Sequence, residues 1–169
     1  ILFAGKDKFE YHRTLVLLEG LKHCDDIEFD LFYIENRNAK SGDLLRKKTH
    51  DFDFVFVPAF RHRDVHWVKK HSSTPVVFDP LISKYLTRVV DFKQWYKAPM
   101  KYFLDWRALR SADYVLADTE AMRQYYIRKW RLKEKNTAVL PIGFIEKDFP
   151  KESMKQAGLG VFKVGFDVF

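Results

Sequence analysis

Asp79 stands directly after the apolar run Val76-Val77-Phe78 and before Pro80, which places its carboxylate at the end of a buried strand, on a turn that the proline ring helps to fix. A carboxylate held there can act as a general base or accept a hydroxyl, and it can equally cap its own turn. A second polar lip follows Tyr114-Val115-Leu116-Ala117. There Asp118, Thr119 and Glu120 open a segment of helical period, where free backbone N–H groups and the helix dipole favour an anion or a sugar hydroxyl; an ordinary N-cap uses the same residue types. Gly5 ends the first apolar run and allows a ligand to approach the backbone, or the chain to take a positive φ. His12 and Arg13, near the start of the helix that follows, are placed to meet a phosphate or an acceptor, or else simply to solvate a first turn. His62 and His66 have the i, i+4 spacing of a helical metal pair, but no third ligand lies near and there is no H-E-x-x-H pattern, so no metal is expected. Cys24, the single cysteine, sits beside His23 without the setting of a nucleophile.

The elements that must position these residues alternate along the chain. Short β-rich runs at 1–4, 27–34, 54–57, 76–78, 114–117 and 137–140 are separated by segments of helical period. The helices are expected after the first strand, where Leu15, Leu18 and Leu21 mark one face, and then near 43–48, 64–70, 99–110 and 120–131. This rhythm predicts an α/β fold with a mainly parallel sheet. In such a sheet the turns at Gly5, at Pro58-Ala59-Phe60-Arg61, at Asp79-Pro80, at Asp118-Thr119-Glu120 and at Pro141-Ile142-Gly143 share one edge. A crevice there gathers His12, Arg13, Arg61, Asp79, Thr119 and Glu120 from distant positions. Residues 1–146 read as one domain and 147–160, with Pro150, Gly158 and Gly160, as a linker. The alternation over 161–169 predicts a strand that either opens a second domain or adds to the edge of this sheet.

Composition narrows the partners. Thirty Lys and Arg against 23 Asp and Glu give a net charge of +7, which attracts phosphate-bearing partners. The glycine fingerprints of dinucleotide and P-loop sites are absent, and no recognition helix or RNP motif supports nucleic acid. A lone cysteine rules out an internal disulfide and fits a reducing, cytoplasmic setting. No apolar run is long enough to cross a bilayer, and none has the flanks of a signal peptide. Two stretches, 93–110 and 123–135, interleave cations with Trp and Tyr, and together they predict a peripheral contact with an anionic membrane surface.

Three stretches resemble the amino-terminal domain of a GT-B glycosyltransferase of the family-four group, which includes many lipopolysaccharide and capsule enzymes. They are Val76-Val77-Phe78-Asp79-Pro80-Leu81-Ile82-Ser83, the Ala-Asp-x-Val-x-Ala-Asp-Thr-Glu core within Ala108 to Tyr126, and Val139-Leu140-Pro141-Ile142-Gly143 followed by Phe149. The resemblance covers about residues 1–150 and implies a Rossmann-like open sheet with helices on both faces, one half of a two-domain enzyme. It implies that this half binds a glycan or lipid-linked acceptor, that a nucleotide-sugar donor is gripped by a second domain, and that this half is inactive alone. Asp79 takes the strand end where many members place a histidine near the reacting sugar, Thr119 and Glu120 match a polar turn lining the cleft, and Gly5 matches the glycine-bearing first loop. The chain departs from the pattern where Lys6-Asp7-Lys8 replaces the usual Gly-Gly pair and where Ile145 replaces an Asp. A stand-alone Rossmann-like module for a nucleotide or nucleic acid is the alternative reading.

Overall fold

The structure is a computed structural model, and it describes residues 1–6 and 9–144. Six parallel strands form one open sheet in the order β2-β1-β3-β4-β5-β6, with β1 at Leu2–Gly5, β2 at Asp30–Tyr33, β3 at Val55–Val57, β4 at Val76–Phe78, β5 at Tyr114–Ala117 and β6 at Thr137–Val139. The connecting helices are α1 (His12–Leu21), α2 (Ala39–Thr49), α3 (His62–His71), α4 (Ala98–Ser111) and α5 (Glu120–Trp130). The fold is α/β and Rossmann-like, as the alternation of periods predicts.

Right-handed crossovers decide which face each helix covers. The connection from β1 to β2 runs one way across the sheet and the later ones run the other way, so α1 lies opposite to α2, α3, α4 and α5. The two cores follow this division. On the α1 side Leu17, Leu18 and Leu21 pack near Phe3, Phe29, Leu31 and Phe56. On the other side Leu45 of α2, Val65 and Val68 of α3, Ala108 and Leu109 of α4, and Tyr126 and Trp130 of α5 pack on Leu2, Val55, Val57, Val76, Phe78 and Val115. The short strands carry little but Val, Leu, Phe and Ala because both faces are covered near the sheet centre.

Local signals set the helix starts. Asn38 accepts a hydrogen bond from the Ser41 N–H at α2, Thr119 accepts one from the Met122 N–H at α5, and Pro99 sits in the first turn of α4. The sequence places β2 at 27–34, but pairing begins only at Asp30, whose N–H donates to the Ile1 carbonyl. Ile27 instead donates to the Cys24 carbonyl in the turn after α1, so the first residues of that apolar run never join the ladder. A π-helical turn at Leu86–Asp91 and a 3₁₀ turn at Trp95–Lys97 lengthen the β4–α4 connection without a clear apolar period to announce them. The linker expected at 147–160 and the strand expected at 161–169 lie outside the described residues.

The two basic-aromatic stretches differ in their placement. In the second, Tyr126 and Trp130 are buried in the main core, and the Lys129 ammonium lies 5.1 Å from the Tyr85 ring and 5.6 Å from the Tyr102 ring. Tyr126 and Trp130 are therefore core and offer no membrane face, and the Lys129 cation lies over Tyr85 and Tyr102 instead. In the first, Trp95 is 77 % exposed and Tyr96, Phe103 and Trp106 are exposed as well. Among the described residues no helix is long and apolar enough to cross a membrane.

Candidate functional site

The sheet order puts a topological switch point between β1 and β3, where the connections depart in opposite directions and open a crevice at the carboxyl ends of the strands. Two polar clusters stand on this edge. Both are assembled from residues far apart in sequence.

The first joins α1, β4 and β6. Asp79 follows β4 and is only 1 % exposed. Its Oδ2 accepts from Arg13 Nε at 2.5 Å and its Oδ1 from the Leu81 N–H at 3.2 Å. Arg13, equally buried in the first turn of α1, also donates from Nη2 to the Leu140 carbonyl at 2.7 Å. One guanidinium thus ties α1 to the ends of β4 and β6, while its remaining nitrogen, Nη1, is buried without a hydrogen-bond partner. Burial pushes the Asp79 carboxyl above its ordinary range, and the Arg13 hydrogen bond and charge oppose that rise; Asp118 at the end of β5 adds to it. The unpartnered Nη1 is an N–H donor in search of an acceptor oxygen, since leaving a charged donor unpaired in the interior is costly.

The second cluster stands at the switch point itself. Asp64, buried in α3, accepts the Lys6 N–H at 3.2 Å and the Arg37 Nε at 2.9 Å, and Arg61 Nη1 lies 3.9 Å from its Oδ2. One carboxylate thereby gathers the loop after β1, the loop before α2 and the start of α3. Gly5 belongs here: a Cβ on it would stand 3.3 Å from the Phe9 ring and 3.5 Å from the Arg61 side chain. The glycine makes room for two side chains of the protein, and its φ is not positive.

The remaining expected residues do not converge. His12 is exposed on the outer side of the first turn of α1. Thr119 is the N-cap of α5, and Glu120, with its side chain 59 % exposed, bonds within the same helix to Arg123 and Gln124. Of the seven, then, Arg13 and Asp79 bond directly, Gly5 and Arg61 pack together, and the other three face solvent. The described residues hold no group of three metal-ligating side chains. His62 and His66 diverge, with His62 buried and His66 exposed and 3.1 Å from the Ser111 hydroxyl.

A third buried group was not apparent in the sequence. Asp105 of α4 accepts the Ser83 hydroxyl at 2.7 Å and the Tyr85 N–H at 2.9 Å, and its other oxygen lies 3.5 Å from His62 Nε2. Burial raises the Asp105 carboxyl and lowers His62 to about 3, the nearby Lys84 charge assisting in the latter. The carboxylate rather than the imidazole occupies the middle of this trio, so it is not arranged to activate the serine. It fastens the turn after β4 to α4, beside the buried His62 of α3. Asp64 and Asp105 lie on helices in charged surroundings, and the only signal for either was its place on the apolar face of its helix. The chain matches no protein-family model and no curated protein.

Proposed function

We propose that this domain is the acceptor-binding half of a sugar-nucleotide-dependent glycosyltransferase of cell-surface glycan synthesis, working at the cytoplasmic face of a membrane. The observation that carries the reading is the Arg13–Asp79 pair, fixed at the carboxyl edge of a parallel sheet, with the guanidinium nitrogen Nη1 and its two N–H groups buried without a hydrogen-bond partner. The likeness of the strand-end stretches to family-four enzymes supplies the chemical class. Transfer forms the bond from the acceptor oxygen to the sugar's anomeric carbon and breaks the bond to the leaving nucleoside diphosphate. The acceptor proton leaves with a carboxylate or with the phosphate itself.

Both oxygens of Asp79 are engaged, so its part in this proposal is positioning: it holds the buried Arg13, whose positive charge at the strand edge stabilises the oxygen of the acceptor or of the leaving group. The donor nucleotide is expected on a second domain. Exposed aromatics at the start of α4 supply the contact with the membrane.

The test is Arg13→Lys in the full-length protein. Lysine keeps the charge but lacks the planar fork that bonds Asp79 and the Leu140 carbonyl together, and turnover should fall by about 10- to 100-fold, equivalent to roughly 1.4–2.7 kcal/mol of barrier. Transfer at the wild-type rate by a folded Arg13→Lys protein would contradict the assignment.

A further inference from the structure

Away from the strand edge, α2, α3 and α4 enclose a groove of about 700 Å³ whose lining contains no carboxylate. Four cations stand in it: Arg63 and Lys70 from α3, and Lys101 and Arg107 from α4. Among the described residues none of the four makes an ion pair. Arg37 adds a fifth positive charge, already paired with Asp64. The crowding is felt by His66 at the groove wall, which burial and then the Arg107 and Lys70 charges hold below its ordinary range. Like charges clustered without counterions destabilise the folded state, and an anion between them removes that cost.

The same groove is apolar along one side. Met100 and Phe103 of α4 line it while being 55 % exposed, and Phe103 stacks with Trp106 at 5.7 Å between centroids. Phe92, Trp95 and Tyr96, in the turns that lead into α4, are exposed as well. A site of four free cations lined by exposed Met and Phe, with Trp106 stacked on Phe103, matches an amphiphile whose phosphate is joined to hydrocarbon. A purely polar phosphate ester would leave this lip in water.

We infer that the groove between α2, α3 and α4 is a binding site for the phosphate headgroup of an anionic phospholipid, seated there while the aromatic lip enters the interface of the bilayer. It rests on the membrane contact proposed above and assigns that contact a specific headgroup site. The alternative occupant of such a surface, a single-stranded nucleic acid, would stack on the same aromatics. Aliphatic Met100 in the groove and Val90 in the π turn before α4 are also exposed, and they have no use in stacking but suit hydrocarbon.

The experiment uses the intact protein and three probes: phosphatidylcholine vesicles with and without phosphatidylglycerol, a water-soluble short-chain phosphatidylglycerol, and a single-stranded oligonucleotide. The variants are Lys70→Glu/Arg107→Glu in the groove and Trp95→Ala/Tyr96→Ala on the lip, each checked for an unchanged urea midpoint. The groove variant should lose at least about tenfold in partition onto anionic vesicles and lose binding of the soluble lipid. The lip variant should lose vesicle partition but keep the soluble lipid. A groove variant that binds vesicles and soluble lipid like the wild type overturns the headgroup site while leaving membrane contact intact. Wild type that binds the soluble lipid but no vesicle overturns the membrane contact instead. Tighter binding of the oligonucleotide than of anionic vesicles overturns the lipid assignment.

Discussion

Arg13 and Asp79 form a buried pair in which each charge neutralises the other, and removing one partner strands a charge. Asp79→Asn or Arg13→Met alone should therefore cost about 3–5 kcal/mol of stability in urea titrations, while Arg13→Met/Asp79→Leu should cost clearly less than the sum. Additive losses would show that the two groups do not depend on one another. His62 gives a pH test. Its folded value is about 3 against an ordinary 6.5, so between these pH values the unfolded chain binds more protons. Stability is fully present above pH 6.5 and falls as the pH drops, by up to about 5 kcal/mol if no relaxation intervenes. Asp79 and Asp105, raised by burial, act with the opposite sign, so the measurement is the difference between wild type and His62→Gln across that window. The variant should lose less stability on acidification; superimposable profiles would contradict the neutral, buried imidazole. Asp79 was legible in the sequence as a strand-end carboxylate because Val76-Val77-Phe78 and Pro80 bracket it. Its partner was legible only as a residue of the same crevice. The bond spans 66 positions, and no local pattern encodes such a contact.

At the scale of elements, the strands and helices were readable because short continuous apolar runs alternate with segments of helical period. What escaped were features decided by tertiary contact: the late start of β2, the π turn after β4, and the burial of Tyr126 and Trp130. Sequence gives the same letters to the core aromatics of α5 and the exposed aromatics of α4. Only the packing of α5 on β5 and β6 separates them. The seam between α2 and α3 offers a direct test. A Cβ at Gly42 of α2 would stand 2.3 Å from the ring of His71, which is itself held by the Trp67 carbonyl at 2.9 Å and packs on the Trp67 ring. Gly42→Ala gains roughly 1 kcal/mol of helix propensity but must push that ring aside, and a net loss of about 1–3 kcal/mol is expected. A rise in the urea midpoint would show that the ring gives way freely.

Over the whole molecule, the charge and the fold act together. An all-parallel sheet directs its loops to one edge, where the Arg13–Asp79 pair and the cluster around Asp64 both stand, while the helical layer carries a basic groove and an aromatic lip on the same side of the sheet as α3 and α4. The proposed enzyme would thus draw its acceptor from a membrane surface toward the strand edge, with a donor domain facing that edge. The central claim is sugar transfer, and the most direct measurement is to incubate the full-length protein with a set of nucleotide sugars and anionic membranes carrying glycolipid acceptors, then to follow acceptor mass. The account predicts an acceptor heavier by one sugar residue with release of nucleoside diphosphate, both strongly reduced by Arg13→Lys. Nucleotide-sugar hydrolysis or binding with no mass gain on any acceptor, by a protein that folds and docks, would contradict it.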